Sequence, residues 1–263
     1  MAFEWDETLY AGSAPYYARG RLPYPPALAD AVHDELGLDG TGRLLDVGCG
    51  PGSLTLLLAP LFAEAVGIDA DAEMVAEAKR HAPPNTRFVQ LRAEELPAGL
   101  GTFRVATFAQ SFHWVDQPRV AAAVRGLLEP GGALVHVNAT TDHGEGDVPR
   151  QEITALVHSY LGPVRRAGRG SLPDGPRRHE DVAIAAAGFS GPTEVEVRAG
   201  QVYARTEDDV VASVFSLSSA APHLFGDRLG DFECDLRELL RAHSPDGAFR
   251  ERARDIALRI WRP

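Results

Sequence analysis

Leu44-Leu45-Asp46-Val47-Gly48-Cys49-Gly50-Pro51-Gly52 decides the fold of this chain. Apolar residues around one acid, then glycine at every second position, describe a buried strand running into a tight turn without side chains. Ser53-Leu54-Thr55-Leu56-Leu57-Leu58-Ala59 follows as a helix. Three glycines so close together cost backbone entropy, so the loop serves something that approaches the main chain. A nucleotide-like ligand is the usual reason.

Working outward, residues 1–42 hold two predicted helices, the second spanning Pro25–Leu38, opened by Pro25-Pro26 and closed by Gly37. An alternation then sets in: strand 43–47, helix 53–60, strand 65–69, helix 71–81, strand 86–91, strand 104–109, helix 117–128 and strand 132–138. Short apolar strands separated by helices predict an α/β fold, a parallel sheet with helices on both faces. Glu129-Pro130-Gly131-Gly132 reads as a turn. Beyond Asn138 the pattern predicts a helix over 150–161, a short helix over 180–187 and a strand over 193–198. Helices near 207–217 and 227–243 and a final strand over 254–261 complete it. Between them Gly162–Arg178 holds three prolines, four glycines and five arginines and reads as a long loop. The expected division is a single unit 1–263, with a helical lid over 1–42, a binding core over 43–139, and sheet completion with acceptor-site cover over 140–263.

The 263 residues are 44% hydrophobic and 24% charged, ordinary for a globular protein that can bury a substantial core. No apolar run approaches the roughly 20 residues of a membrane span. MAFEWDETLY carries acids and no basic–apolar–small pattern, so export is not expected and the reading is cytoplasmic. Cys49 and Cys234 make no disulfide framework, and nothing nearby suggests a metal site. With 26 Lys plus Arg against 37 Asp plus Glu, the net charge of −11 opposes a polyanionic partner. No nucleic-acid or membrane partner is expected, and a monomer or homodimer is.

The glycine spacing narrows the ligand. Dinucleotide enzymes use G-x-G-x-x-G, but the last position of that pattern counted from Gly48 is Ser53. A phosphate loop needs Gly-Lys-Ser/Thr, and this stretch has no lysine. Asp46 beside the loop would repel a pyrophosphate and suits a ligand with positive groups. S-adenosylmethionine (SAM), with a sulfonium and an ammonium against one carboxylate, is such a ligand.

Residues 44–52 resemble the first motif of the class I SAM-dependent methyltransferase family, hydrophobic-hydrophobic-Asp-x-Gly-x-Gly-x-Gly, at every position. The resemblance implies a Rossmann-like, mostly parallel seven-stranded sheet with an antiparallel last strand and N- and C-terminal helical cover. It places Asp46, Gly48, Cys49 and Gly50 at the cofactor. In Val66-Gly67-Ile68-Asp69, the acid 23 residues after Asp46 can accept two hydrogen bonds from a ribose diol, with Ala70 beside it. The bland alternative for Asp69 is a helix N-cap, a role better suited to Asp71. Arg92-Ala93-Glu94-Glu95-Leu96-Pro97 is similar to the family's Ala-Glu/Asp-x-Leu-Pro element, which implies adenine contacts from Ala93 and Glu94; otherwise Glu94 is a solvated loop acid.

After the fourth strand, Ser111-Phe112-His113-Trp114 is similar to the small-molecule subgroup, although Arg104 stands where members often have Asp. Gln110 and Ser111 would meet the methionine end, with His113 and Trp114 over the acceptor mouth or merely packed. Tyr17-Ala18-Arg19-Gly20-Arg21-Leu22-Pro23-Tyr24-Pro25 resembles the subgroup's Tyr-x-x-x-Arg-Pro-x-Tyr-Pro lid, with Leu22 replacing a Pro. By that match Tyr17 and Arg21 face the cofactor, Arg21 pairing with its carboxylate.

The implied activity is methyl transfer to a small-molecule acceptor through oxygen, a hydroxyl or a carboxylate. For a hydroxyl that calls for a base, His113 and His143 are the candidates. Arg165, Arg166, Arg169, Arg177 and Arg178 would draw an anionic acceptor or simply balance an acidic body. The competing classes are a non-catalytic SAM-binding protein, a nicotinamide-dependent oxidoreductase and an RNA methyltransferase.

Overall fold

The apolar runs of the sequence become a seven-stranded sheet in the computed structural model, which describes residues 6, 8–164, 166–167, 170–171 and 179–263. Its strands are β1 (Arg43–Val47), β2 (Glu64–Asp69), β3 (Thr86–Gln90), β4 (Phe103–Ala109), β5 (Leu128–Asn138), β6 (Ser190–Val197) and β7 (Ile256–Arg262). They lie in the order β3-β2-β1-β4-β5-β7-β6. The first five run parallel, whereas β7 pairs antiparallel with both β5 and β6. The fold is therefore the expected mostly parallel, Rossmann-like sheet with its last strand reversed.

Side-chain alternation sends β1 into two cores. Leu45 and Val47 pack on one face with Ile68, Phe108 and the helix Gln117–Leu127. Leu44 packs on the other with Val105, Val135 and the helices Pro26–Leu36 and Ser53–Leu58. Each fully buried leucine contributes about 1.5–3 kcal/mol, which anchors β1 in both cores. Chain order reverses at β1, whose neighbours β2 and β4 leave in opposite directions, and a crevice opens beyond their carboxyl ends.

The remaining residues build a cover. Helices Arg150–Leu161, Glu207–Phe215 and Leu229–His243 share a third core around Phe215, Phe225, Phe232 and Phe249. Beside it, strands Val202–Thr206 and Ala248–Arg252 pair antiparallel, and Glu145–Gly146 joins the edge. The sequence reading misses this small sheet for a physical reason. Its inward positions include Arg205 and Glu251, a buried ion pair at 3.1 Å, so the apolar alternation that marks a strand is absent. The turn read at Glu129–Gly132 lies within β5, which runs on from Leu128.

Candidate functional site

Four strand-end loops and a covering segment surround one cavity with an open volume of about 690 Å³. The loop after β1 forms its floor. Gly48 and Cys49 donate their N–H groups to the Ile68 carbonyl at 2.8 and 3.0 Å, which ties the loop to β2. Gly48 sits at φ +69°, and a Cβ there would lie 2.5 Å from Ser111 Cβ. Gly50, at φ +54°, has open space where its side chain would stand, so the main chain is bare toward a ligand.

Asp69 closes the next side. Its two carboxylate oxygens accept from the Gly50 N–H at 2.8 Å and the Asp71 N–H at 2.9 Å, which leaves further lone pairs toward the cavity. Burial outweighs these two bonds and pushes its carboxyl up to about 6. Asp71 is the helix cap, accepting from the Glu73 and Met74 N–H groups. Ala70 lines the same wall.

Ala93 and Glu94 follow β3 and line the cavity from a short turn. Glu94 accepts from the Asp116 N–H at 2.9 Å, so it fixes the start of the next helix instead of standing as a solvated acid. Gln110 follows β4 at φ +56°, an uncommon conformation for a residue with a Cβ, and lines the cavity beside Ser111. The Ser111 hydroxyl donates to the Val47 carbonyl at 2.6 Å, which couples the ends of β4 and β1.

A smaller cavity shares Tyr17, Gly48, Gly50 and Ala109 with the first and adds Arg21, Asp46 and Cys49. The Arg21 guanidinium lies 4.5 Å over the Tyr17 ring, donates to the Ser216 carbonyl at 2.7 Å and stands 3.9 Å from Asp142. Its Nε is buried and has no protein partner. Asp46 is 1% exposed and accepts from the Thr55 and Thr107 hydroxyls at 2.6 and 2.7 Å. Burial raises its carboxyl above the usual range. These bonds make it the clamp between β1, β4 and the following helix. Cys49 packs its thiol with Val75, Ala78 and Phe88, and burial pushes that thiol up.

The two candidate bases part company. His113 is not at the cavity mouth: it faces Glu180 at 3.8 Å, and Glu180 also meets His136 of β5 at 3.3 Å. Neighbouring Trp114 lines the cavity instead, with Tyr10 edge-on to it at 6.4 Å. The two rings stay in contact, with centroids 4.6 Å apart, the imidazole facing Glu180 and the indole lining the cavity. His143 lies on a separate cavity under the helical cover. Of the arginine-rich stretch, Arg165, Arg169, Arg177 and Arg178 lie outside the described residues, and Arg166 is described in its backbone alone.

The sequence reading misses Tyr10, Met74 and Leu91, which also line the main cavity. Met74 and Leu91 look like ordinary core residues of an amphipathic helix and a strand end, and Tyr10 stands in no motif. A carboxylate set to accept, a bare main chain and an aromatic cover suit a nucleoside with a charged tail. Among the described residues no group of three or more His, Cys, Asp or Glu could hold a metal ion, and no helix is long and apolar enough to cross a membrane.

Comparison with known proteins bears on this geometry. The methyltransferase domain family matches residues 44–132. An uncharacterized methyltransferase of Mycobacterium tuberculosis is 35% identical over 170 residues, 64% of this chain and 66% of that protein. Trans-aconitate 2-methyltransferase of Deinococcus radiodurans is 38% identical over 133 residues, 48% of this chain and 49% of that protein. The chain thus matches under two thirds of the length of either relative. A proposed type II methyltransferase from Anaeromyxobacter dehalogenans has the same fold, with a TM-score of 0.56 at 22% identity over 91% of this chain and 95% of that one. Fold, glycine loop and domain match agree on a methyltransferase domain over residues 44–132.

Proposed function

We propose that the protein transfers the methyl group of SAM to an oxygen of a small-molecule acceptor. The observation that carries this reading is the pairing of Gly50 and Asp69: a bare loop held by the acid that offers its remaining lone pairs to the cavity. The residues fit the cofactor. Asp69 would take the ribose hydroxyls, Ala93 and Glu94 the adenine, and Gly48 and Gly50 would admit the methionine portion. Arg21, whose buried Nε lacks a partner, would pair with the cofactor carboxylate. When bound, SAM supplies a methyl group already activated by its sulfonium.

The protein's own contribution is orientation and exclusion of water. Tyr10, Tyr17 and Trp114 meet edge to face over the cavity. Alignment of this kind supplies up to about 7–11 kcal/mol toward a transfer barrier without a dedicated base. Similarity to a malonyl-[acyl-carrier protein] O-methyltransferase and a ubiquinone biosynthesis O-methyltransferase supports oxygen as the receiving atom. Calorimetry tests the reading: wild-type protein binds SAM, and Asp69→Ala or Gly50→Val abolishes binding. A wild type that binds no SAM refutes it.

A further inference from the structure

Arg21 is set in place from several sides. It caps the helix Ala14–Gly20, and its Nη2 donates to the carbonyl of Ser216, the residue that caps the helix Glu207–Phe215. Asp142, in the stretch that follows β5, stands 3.9 Å from its guanidinium. One main-chain bond keeps these two stretches side by side: the Leu22 N–H donates to the Thr141 carbonyl at 2.7 Å.

Behind Arg21 and Asp142 sit Arg205 and Glu251, 6% and 1% exposed, which line neither cofactor cavity. Each directs part of its bonding capacity outside the small sheet that carries it. Arg205 Nη2 donates to the Gly20 carbonyl at 2.9 Å and to the Asp209 carbonyl at 2.8 Å. Glu251 Oε1 accepts from the Gly144 N–H at 3.2 Å and from Arg150. Gly20 immediately precedes Arg21, and Gly144 stands two residues beyond Asp142. One buried pair therefore holds the main chain beside both residues.

Two features separate this arrangement from a pair that merely fills the cover. A cover needing stability alone is served as well by apolar residues of similar volume, because the cost of burying two charges offsets most of their attraction. The packing at both contact points also excludes a side chain. A Cβ on Gly20 would lie 2.4 Å from the Ala212 carbonyl oxygen, and one on Gly144 would lie 2.4 Å from that of Arg252. Both main chains are pressed onto the cover where the pair reaches them.

We propose that Arg205 and Glu251 are positioning residues for the cofactor's carboxylate: they fix Gly20 and Gly144, and so set Arg21 where it meets the amino-acid tail. The proposal rests on the SAM reading above and deepens it. Recognition of the tail then depends on the cover as well as the sheet, whereas the nucleoside depends chiefly on the strand ends. Charge balance makes Arg205 the informative member to remove. Arg150 and Arg205 share Glu251, so Arg205→Met takes away the bond to Gly20 and leaves Glu251 paired with Arg150.

The test is calorimetry on the full chain with S-adenosylhomocysteine and with methylthioadenosine, which keeps the nucleoside and thioether but lacks the carboxylate tail. Arg205→Met is expected to weaken S-adenosylhomocysteine binding about tenfold, while methylthioadenosine stays within about twofold. In an Arg21→Met background the same substitution is expected to move neither ligand beyond about twofold, because its effect runs through Arg21. A merely structural role would weaken both ligands in both backgrounds. Gly20→Ala, which pushes the end of the lid off Ala212 with no change of charge, is expected to reproduce the tail-selective loss. It carries the test if Arg205→Met does not fold. Equal wild-type affinity for the two ligands, an unchanged S-adenosylhomocysteine constant, an equal loss for both, or a loss that persists without Arg21 overturns the proposal while SAM binding stands. A wild type that binds neither ligand overturns both.

Discussion

Cofactor affinity should fall with acidity because of one group, Asp69. A ribose diol donates two hydrogen bonds, so it binds the ionised carboxylate and not the acid. With the carboxyl at about 6 in the free protein, its ionised fraction drops from about nine-tenths at pH 7 to about one-tenth at pH 5. The SAM dissociation constant should therefore rise about tenfold over that interval, or about 1.4 kcal/mol. In the free protein the sign is opposite. A carboxyl raised above its ordinary value of 3.8 adds stability that is full below that value and is lost as pH rises through about 6. Isothermal titration at constant ionic strength from pH 5 to 7 reads the binding effect directly. Asp69→Asn should bind about 10- to 100-fold more weakly at pH 7, having lost a charge-assisted pair of bonds, and should show no such slope. A wild-type constant flat between pH 5 and 7, or a slope that survives in Asp69→Asn, refutes the assignment of Asp69 to the ribose.

Gly48→Ala should lower stability by about 2–3 kcal/mol, because its Cβ would stand 2.5 Å from Ser111 Cβ at a left-handed φ. Urea unfolding measures this, and Gly50→Ala, with open space at its Cβ, should cost less. Glu251→Ala should destabilise by about 3–5 kcal/mol, since it leaves Arg150 and Arg205 without their shared carboxylate in a buried setting. A loss below about 1 kcal/mol in urea would show that the pair does not hold the cover together.

The sheet was legible because its strands obey simple rules. Leu44 and Leu45 alternate into two cores, and the glycine loop announces the crevice at the end of β1. Asp69, Ala93, Glu94 and Gln110 could be placed from their motifs because each stands at or just beyond a strand end, where main-chain geometry fixes position. Side-chain direction was less legible. His113 and Trp114 are adjacent in sequence and their rings lie 4.6 Å apart, yet only Trp114 lines the cavity while His113 faces Glu180. Asp46 lines the smaller cavity, and its charge alone does not reveal that the Thr55 and Thr107 hydroxyls also hold it. The cover was least legible, because the Arg205–Glu251 pair places charge where a strand pattern calls for apolar residues. Tertiary partners decide such positions, and local sequence does not contain them.

The most direct measurement of the central claim is a crystal structure of the protein with S-adenosylhomocysteine. The account predicts the Asp69 carboxylate within about 2.5–3.0 Å of both ribose hydroxyls, with the adenine beside Ala93 and Glu94. A ligand seated elsewhere, or one whose ribose does not touch Asp69, would contradict it.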